Sequence, residues 1–243
     1  LKDVVDRFLI CESIYDHRGN EKKINFDRKK YENNKKIKHV IIKDKFPNES
    51  SPWQNQAIQR EYILKNLDEA GKDDFIMFSD PDEIPNPEIL KNFELKKKYG
   101  IFLQDCFNYK FNLFNPFESP WEGTRVAKKK DLKSIDFMRQ KILSKNLKKF
   151  YKFSIEKNIE IINNGGWHFN NIMSPKKISI KLRTFAHSEF SDNRFSSYKI
   201  IEEKIKKQID LFERGHTYKK VKLDDDFPKF LLDNKKKYNK FIL

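Results

Sequence analysis

The chain has 243 residues, which suits one sizeable α/β domain or one domain with a helical tail. Hydrophobic content of 37% is low and charged content of 36% is high, yet 22 Phe, 9 Tyr and 3 Trp supply a core and exclude a disordered chain. The net charge of +15 comes from lysines spread along the whole sequence, which reads as solvated helix faces, so no nucleic-acid partner is expected.

An anionic membrane surface or a polysaccharide would nevertheless match the sign of the charge. No run of about 18 apolar residues occurs, which excludes a transmembrane helix here. Cys11 and Cys106 are far apart and in no metal or redox spacing, and they read as small apolar residues within strands. The chain opens at Leu1 almost inside a strand, so an upstream piece is expected. Cytoplasmic or membrane-peripheral residence is favoured on these grounds.

A first strand is predicted at Val4–Glu12, ending in the polar loop Ser13–Asn20, and a second at Ile37–Ile42. Over Trp53–Leu67, residues Ala57, Ile58, Tyr62, Ile63 and Leu67 share one helical face, and Gly71 closes the element. Phe75–Ser79 is the third strand. Asn86, Pro87 and Glu88 supply a cap, a first-turn proline and an early acid for a helix expected to reach about Tyr99 and end at Gly100. This β-β-α-β-α order predicts an α/β fold with a mostly parallel sheet flanked by helices.

Ile101–Phe114 alternates and reads as a long strand or hairpin, and Trp121–Thr124 as a turn leading into a strand. A helix is predicted over Asp131–Ser144 and a short strand at Ile159–Ile162. Gly165–Phe169 is expected at a tight bend, Ser174–Phe185 as a helix and Tyr198–Glu213 as a basic amphipathic helix. The tail Phe227–Leu243 holds one or two short helices. No repeat or linker divides the chain, so residues 191–243 read as a helical extension of one domain spanning 1–243.

The most informative stretch is Phe75–Pro87, where an apolar strand runs into Asp80, Asp82 and Glu83 within a proline-bounded turn. Carboxylates at the exit of a buried strand are costly unless a positive partner sits there. Hard oxygens suit Mg²⁺ or Mn²⁺ carrying a phosphorylated ligand, at the sheet edge where open α/β sheets bind ligands. The plainer reading is a charge cluster ahead of the helix at Pro87.

A second constellation is Gly165-Gly166-Trp167-His168. His168 could complete a metal shell and Trp167 could stack on a sugar or base, although a lone histidine is more often structural. Arg60, on the helix before the acidic strand, could clamp a diphosphate or pair with the acidic loop, against the alternative of a solvated arginine. In Lys181–Phe190, His187 or Glu189 could serve as a base or merely terminate a helix. No phosphate-cradling GxxxxGK[ST], GxGxxG or GxSxG motif is present.

Together these segments resemble glycosyltransferase family 17, the β-1,4-N-acetylglucosaminyltransferase family. The resemblance runs from Val4–Ser13 through Trp53 to Arg60, Ser79-Asp-Pro-Asp-Glu-Ile-Pro85, Gly166-Trp-His168 and Lys181 to Phe190, and it reaches the Lys- and Tyr-rich tail. It implies a GT-A-like fold with a single Rossmann-type sheet, a UDP-sugar donor, a glycan acceptor and a divalent metal, Mn²⁺ or Mg²⁺, at the Asp-x-Asp. Asp80 and Asp82 match that motif, with Asp80 toward the ribose or sugar, and His168 matches the Gly-Trp-His.

The implied reaction is an inverting single displacement. Glu12 would hold the nucleotide and Arg60 would share the diphosphate charge. Glu189, then Asp105 and Glu122, are the candidate bases for the acceptor hydroxyl. The loop Ile14–Asn20 departs from the family's pattern in its charged, His-containing character. A metal-dependent phosphohydrolase would use the same acidic loop, and a basic nucleic-acid or anionic-surface binder would use segments such as 148–153.

Overall fold

The computed structural model describes residues 1–149 and 151–243, so Phe150 of the basic segment 148–153 lies outside the described residues. Strands β1 (Phe8–Ser13) and β2 (Ile37–Ile42) pair in parallel as a separate two-stranded sheet, with Phe8 opposite Ile37 and Ser13 opposite Ile42. Helix α1 (Pro52–Glu61) starts from a capping box. Ser51 Oγ accepts from Gln54 N at 3.3 Å and Gln54 Oε1 accepts from Ser51 N at 2.7 Å. It tightens into a 3₁₀ turn at Tyr62–Asn66, so the expected Trp53–Leu67 element is helical in two styles.

Next come β3 (Phe75–Phe78), β4 (Glu83–Pro85) and α2 (Pro87–Leu90). Asn86 caps α2 as expected, accepting from Glu88 N at 3.0 Å, but the helix lasts one turn and does not reach Tyr99. The backbone donors beyond it are spent elsewhere: Lys96 N on Glu160 Oε2 at 2.7 Å and Lys98 N on Asn158 Oδ1 at 3.2 Å. Phe93 and Leu95 are drawn into the core beside Leu90, Phe102 and Val126. Gly100 lies inside the following strand.

That strand, β5 (Tyr99–Asn108), is the spine of an eight-stranded sheet and changes neighbours halfway along. It turns into β6 (Leu113–Phe114), making the expected hairpin. β7 (Trp121–Lys128) includes the residues expected as a turn. Helix α3 (Ile135–Gln140) fills the centre of the predicted 131–144 segment, and β8 (Ile159–Ile162) falls where expected.

The first half of β5 pairs with β7 and β8, and the second half with β6 and β9 (Gly166–Asn170). β4 adds to β9, β3 to β7, and a two-residue β10 (Lys219–Lys220) to β6. Five of these ladders are antiparallel. Only β5–β8 and β5–β9 are parallel.

The mostly parallel expectation is therefore corrected. Parallel neighbours need a long crossover, whereas β5 turns straight into the β6 hairpin and returns as β7. The tight turn expected at Gly165–Phe169 lies one step earlier, at Asn163 and Asn164, and Trp167 and His168 are within β9.

Helix α4 (Pro175–Thr184) matches the 174–185 prediction, capped by Ser174. Beyond it lie α5 (Asn193–Ser196), α6 (Tyr198–Lys206), α7 (Lys229–Asp233) and α8 (Lys235–Tyr238). α6 ends before the predicted Glu213, and the chain reverses at Gln208 with φ 56°. Among the described residues, no helix is long and apolar enough to cross a membrane.

Alternation along the spine sorts the core. Tyr99 and Ile101 face Met138 and Ile142 near α3, whereas Phe102 faces Leu90 and Val126. In the second half of the spine, Phe107 joins Trp167, Phe169, Phe227 and Leu231 on one face. Cys106 and Asn108 look to the other face, which is polar and carries the site.

Candidate active site

The acidic loop begins where β3 ends. Ser79 Oγ lies 2.7 Å from Thr124 Oγ1 of β7, and Glu83 N donates to Asp80 O at 2.9 Å, closing a turn around Pro81. Both Asp80 oxygens lie 3.0 Å from Arg60 Nη2, and Asp80 Oδ2 lies 2.9 Å from Arg139 Nη2 of α3. Arg139 Nη1 also donates to Glu83 Oε1 at 3.1 Å, and Trp121 Nε1 donates to the same oxygen at 2.9 Å. The Glu83 side chain is 1% exposed. Burial, reinforced by the Asp80 charge, raises its pKa against the pull of Arg139.

Asp82 meets a different set of partners. The β4–β9 ladder sets Glu83 opposite His168, and Phe169 N donates to Asp82 O at 2.8 Å. His168 Nε2 therefore lies 3.6 Å from Asp82 Oδ2, with Lys181 Nζ at 3.9 Å from the same oxygen. Burial works to raise the Asp82 pKa, but His168 and Lys181 overcome it and hold the carboxyl below its ordinary range.

Around this pair the Trp121 ring stacks on His168 with centroids 4.6 Å apart, and Cys106 Sγ lies 3.6 Å from His168 Nδ1. Burial pushes the Cys106 thiol pKa up, so the sulfur is a neutral packing group. Lys181 Nζ is steadied by Asn171 Oδ1 at 3.0 Å. Gly166 makes the ladder possible: with φ +123°, a Cβ there would stand 2.1 Å from Ile84 O.

Among the described residues, no group of three or more His, Cys, Asp or Glu side chains converges to hold a metal ion unaided. The partly exposed Asp82 and the buried His168 offer one hard oxygen and one imidazole nitrogen. Mg²⁺ and Mn²⁺ usually keep waters and take further oxygens from phosphates, so this donor pair fits an ion arriving with a phosphorylated ligand. Asp80 is differently placed, both its oxygens being engaged by guanidinium groups.

The remaining sequence candidates are dispersed. Glu12 accepts four hydrogen bonds, from Lys22 Nζ, Asn25 N, Asn25 Nδ2 and Phe26 N at 2.7–3.1 Å, which anchor the loop after β1. Trp167 is 8% exposed, and its Nε1 donates to Asp226 O at 3.0 Å, so the ring is core and not a free stacking platform. Asp105 is opposite Trp167 in the ladder and so shares its face, away from His168. Burial and then Asp226 raise its pKa.

Glu122 pairs with Arg125 at 3.1 Å and accepts from Ser144. Glu189 is exposed. It lies 2.8 Å from His187 Nδ1, a contact that lowers the Glu189 pKa. The His187 ring meets Trp53, in the first turn of α1, edge-on at 4.3 Å.

Sequence reasoning does not single out Arg139, Trp121 or the Cys106 face. For Cys106 and Asn108 a signal exists: their two-residue spacing matches His168 and Asn170, so both pairs point to one polar face. Arg139 carries no such signal, because only tertiary packing brings α3 to the acidic loop.

The glycosyltransferase family 17 profile matches residues 1–243. Neither a curated protein nor a solved structure matches the chain. The acidic loop, the Gly-Trp-His strand laddered to it and the whole-length match lead to one conclusion: this chain belongs to glycosyltransferase family 17 and is a glycosyltransferase.

Proposed function

We propose that the enzyme moves N-acetylglucosamine from a UDP-sugar to a hydroxyl of a glycan acceptor, with inversion and with a divalent metal, Mn²⁺ or Mg²⁺. The observation that carries this reading is the laddering of β4 to β9, which sets Asp82 3.6 Å from His168, two residues from an Asp80 held by two arginines. A bound metal would supply Lewis-acid neutralisation of the diphosphate, with Asp82 and His168 as its protein ligands. Lys181 adds a cation next to that position, while Arg60 and Arg139 hold Asp80, two residues away along the loop.

In the displacement the acceptor oxygen bonds to the anomeric carbon as the bond from that carbon to the diphosphate oxygen breaks. The electron pair leaves on the diphosphate, and the acceptor proton passes to a carboxylate. Glu189 is our candidate for that base. The Trp53–His187 contact ties its segment to α1, the helix that carries Arg60 to Asp80. A positioned base typically contributes about 10²–10⁴-fold. Asp105 faces away from His168, and Glu122 is committed to Arg125 and Ser144.

The test is thermal stabilisation by a UDP-sugar panel, with and without Mn²⁺, in wild type and Asp82→Ala. Metal-dependent stabilisation by UDP-N-acetylglucosamine that Asp82→Ala loses is expected. Ligand at about 100 times its Kd should add about 2.7 kcal/mol. Absence of response to every UDP-sugar would sink the donor assignment and bring phosphoester cleavage forward as the chemistry of the acidic loop.

A further inference from the structure

The polar loop after β1 holds an arginine that the scheme above does not use. Arg18 Nε and Nη2 are both buried, and neither has a hydrogen-bond partner among the described residues. The residue as a whole is half-buried, yet two buried N–H donors without acceptors on one side chain carry a cost and call for an explanation.

The loop that presents Arg18 is held firmly. Asp16 Oδ1 accepts from Arg18 N and Asn20 N, both at 2.9 Å, and Gly19 N donates to Asp16 O at 2.9 Å. Asp16 is thereby committed to the backbone and to Asn20, and it makes no ion pair with Arg18 among the described residues. The turn is docked on α1, where Asn55 Nδ2 donates to His17 O at 3.0 Å. Gln59 bonds the His17 side chain, and the next residue along α1 is Arg60, the partner of Asp80.

Arg60 and Lys22 also lie near this loop, but each has its own carboxylate, Asp80 at 3.0 Å and Glu12 at 2.9 Å. The two unpartnered Arg18 nitrogens are therefore the donors here left open to an anion.

We propose that Arg18 is an anion-binding residue of the donor site, its guanidinium meeting phosphate oxygens of the nucleotide-linked diphosphate. The planar fork suits two phosphate oxygens at once, and the pinned loop means little ordering is needed on binding. The assignment rests on the diphosphate-bearing donor proposed above, and it deepens that reading by giving the departing loop 14–20 a task.

The test uses inorganic pyrophosphate, without sugar or metal, titrated calorimetrically into the full chain as wild type, Arg18→Gln and Arg18→Lys. The expected result is at least a tenfold loss of pyrophosphate affinity in Arg18→Gln, with a Tm unchanged or raised because two unpartnered buried donors have gone. Arg18→Lys, which keeps charge without the fork, should fall between. Equal affinity in Arg18→Gln and wild type, or no pyrophosphate binding by wild type, overturns the assignment.

If Arg18→Gln does not fold, Arg18→Lys decides: weaker than wild type supports the proposal, and equal affinity overturns it. Pyrophosphate binding through Arg18 with no response to any UDP-sugar would retain the anion site while removing the sugar-nucleotide reading. UDP-sugar stabilisation indifferent to Arg18 would do the reverse.

Discussion

Arg139 and Glu83 form a buried ion pair at 3.1 Å, with side chains 11% and 1% exposed, and Arg139 uses its second terminal nitrogen on Asp80. The pair fixes the acidic loop to α3 and leaves Asp82 as the carboxylate on the open side. Removing only the cation would strand Glu83 in a site where Trp121 is its other side-chain donor.

Arg139→Met should therefore cost about 3–5 kcal/mol, the usual penalty for breaking a buried pair from one side. Adding Glu83→Gln in the same chain should recover part of that loss, since the stranded charge disappears. Urea unfolding of the two single variants and the double variant measures the coupling directly.

Asp80 and Asp82 should separate cleanly by what they disturb. Asp80→Asn weakens its ties to both arginines and should lower stability and transfer together. Asp82→Asn touches a partly exposed group and should shift stability by less than about 1 kcal/mol, while transfer falls by at least about 10²-fold. Equal stability losses in the two variants would contradict the division of roles.

Gly166→Ala tests the ladder. The new Cβ would sit 2.1 Å from Ile84 O and 2.7 Å from Asn86 N, at a φ of +123°. Strain of this kind costs on the order of 1–3 kcal/mol before any clash is counted. The variant should unfold at distinctly lower urea concentration than wild type. Because its effect passes through the β4–β9 register, its metal-dependent response to UDP-sugars should drop as well.

Asp210 predicts the acid limb of the stability curve. Its side chain is 2% exposed and accepts from Arg214 Nη2 at 2.7 Å, Arg214 Nε at 3.0 Å and Phe212 N at 3.0 Å. Burial favours a raised pKa, but these donors outweigh it and lower the folded-state value. A lowered folded pKa means the contribution is complete above the unfolded value of about 3.9 and is lost as pH falls toward the folded one.

Asp210→Asn should flatten that acid slope and cost about 1–3 kcal/mol at pH 7. Denaturation midpoints between about pH 2.5 and 7 compare the two chains. The effect reaches the site's neighbourhood, because Arg214 also holds Glu118 at 2.7 Å, and Glu118 lies 3.9 Å from Cys106 Sγ.

Local patterns were legible wherever a residue's role depends on its near neighbours. Ile37–Ile42, Ile159–Ile162, the Asn86–Pro87 helix start and the helix expected over Ser174–Phe185 all fall where side-chain chemistry and periodicity put them. The 91–99 segment was misread because its donors go to Glu160 and Asn158, partners far along the chain that no local propensity reveals. Strand direction was misread for the same reason, since the order of elements does not say which edges meet.

By itself, then, the sequence determined most of the elements, the chemical types gathered in the acidic loop and the Gly-Trp-His segment, and family membership across residues 1–243. Only the tertiary structure decided how they combine: Asp82 beside His168, Asp80 between two arginines, Trp167 in the core and two Arg18 nitrogens buried without a hydrogen-bond partner among the described residues. The physical reason is that caps and periodicity are settled over a few residues. Ion pairing and burial depend on which distant segments the sheet brings within a few ångströms.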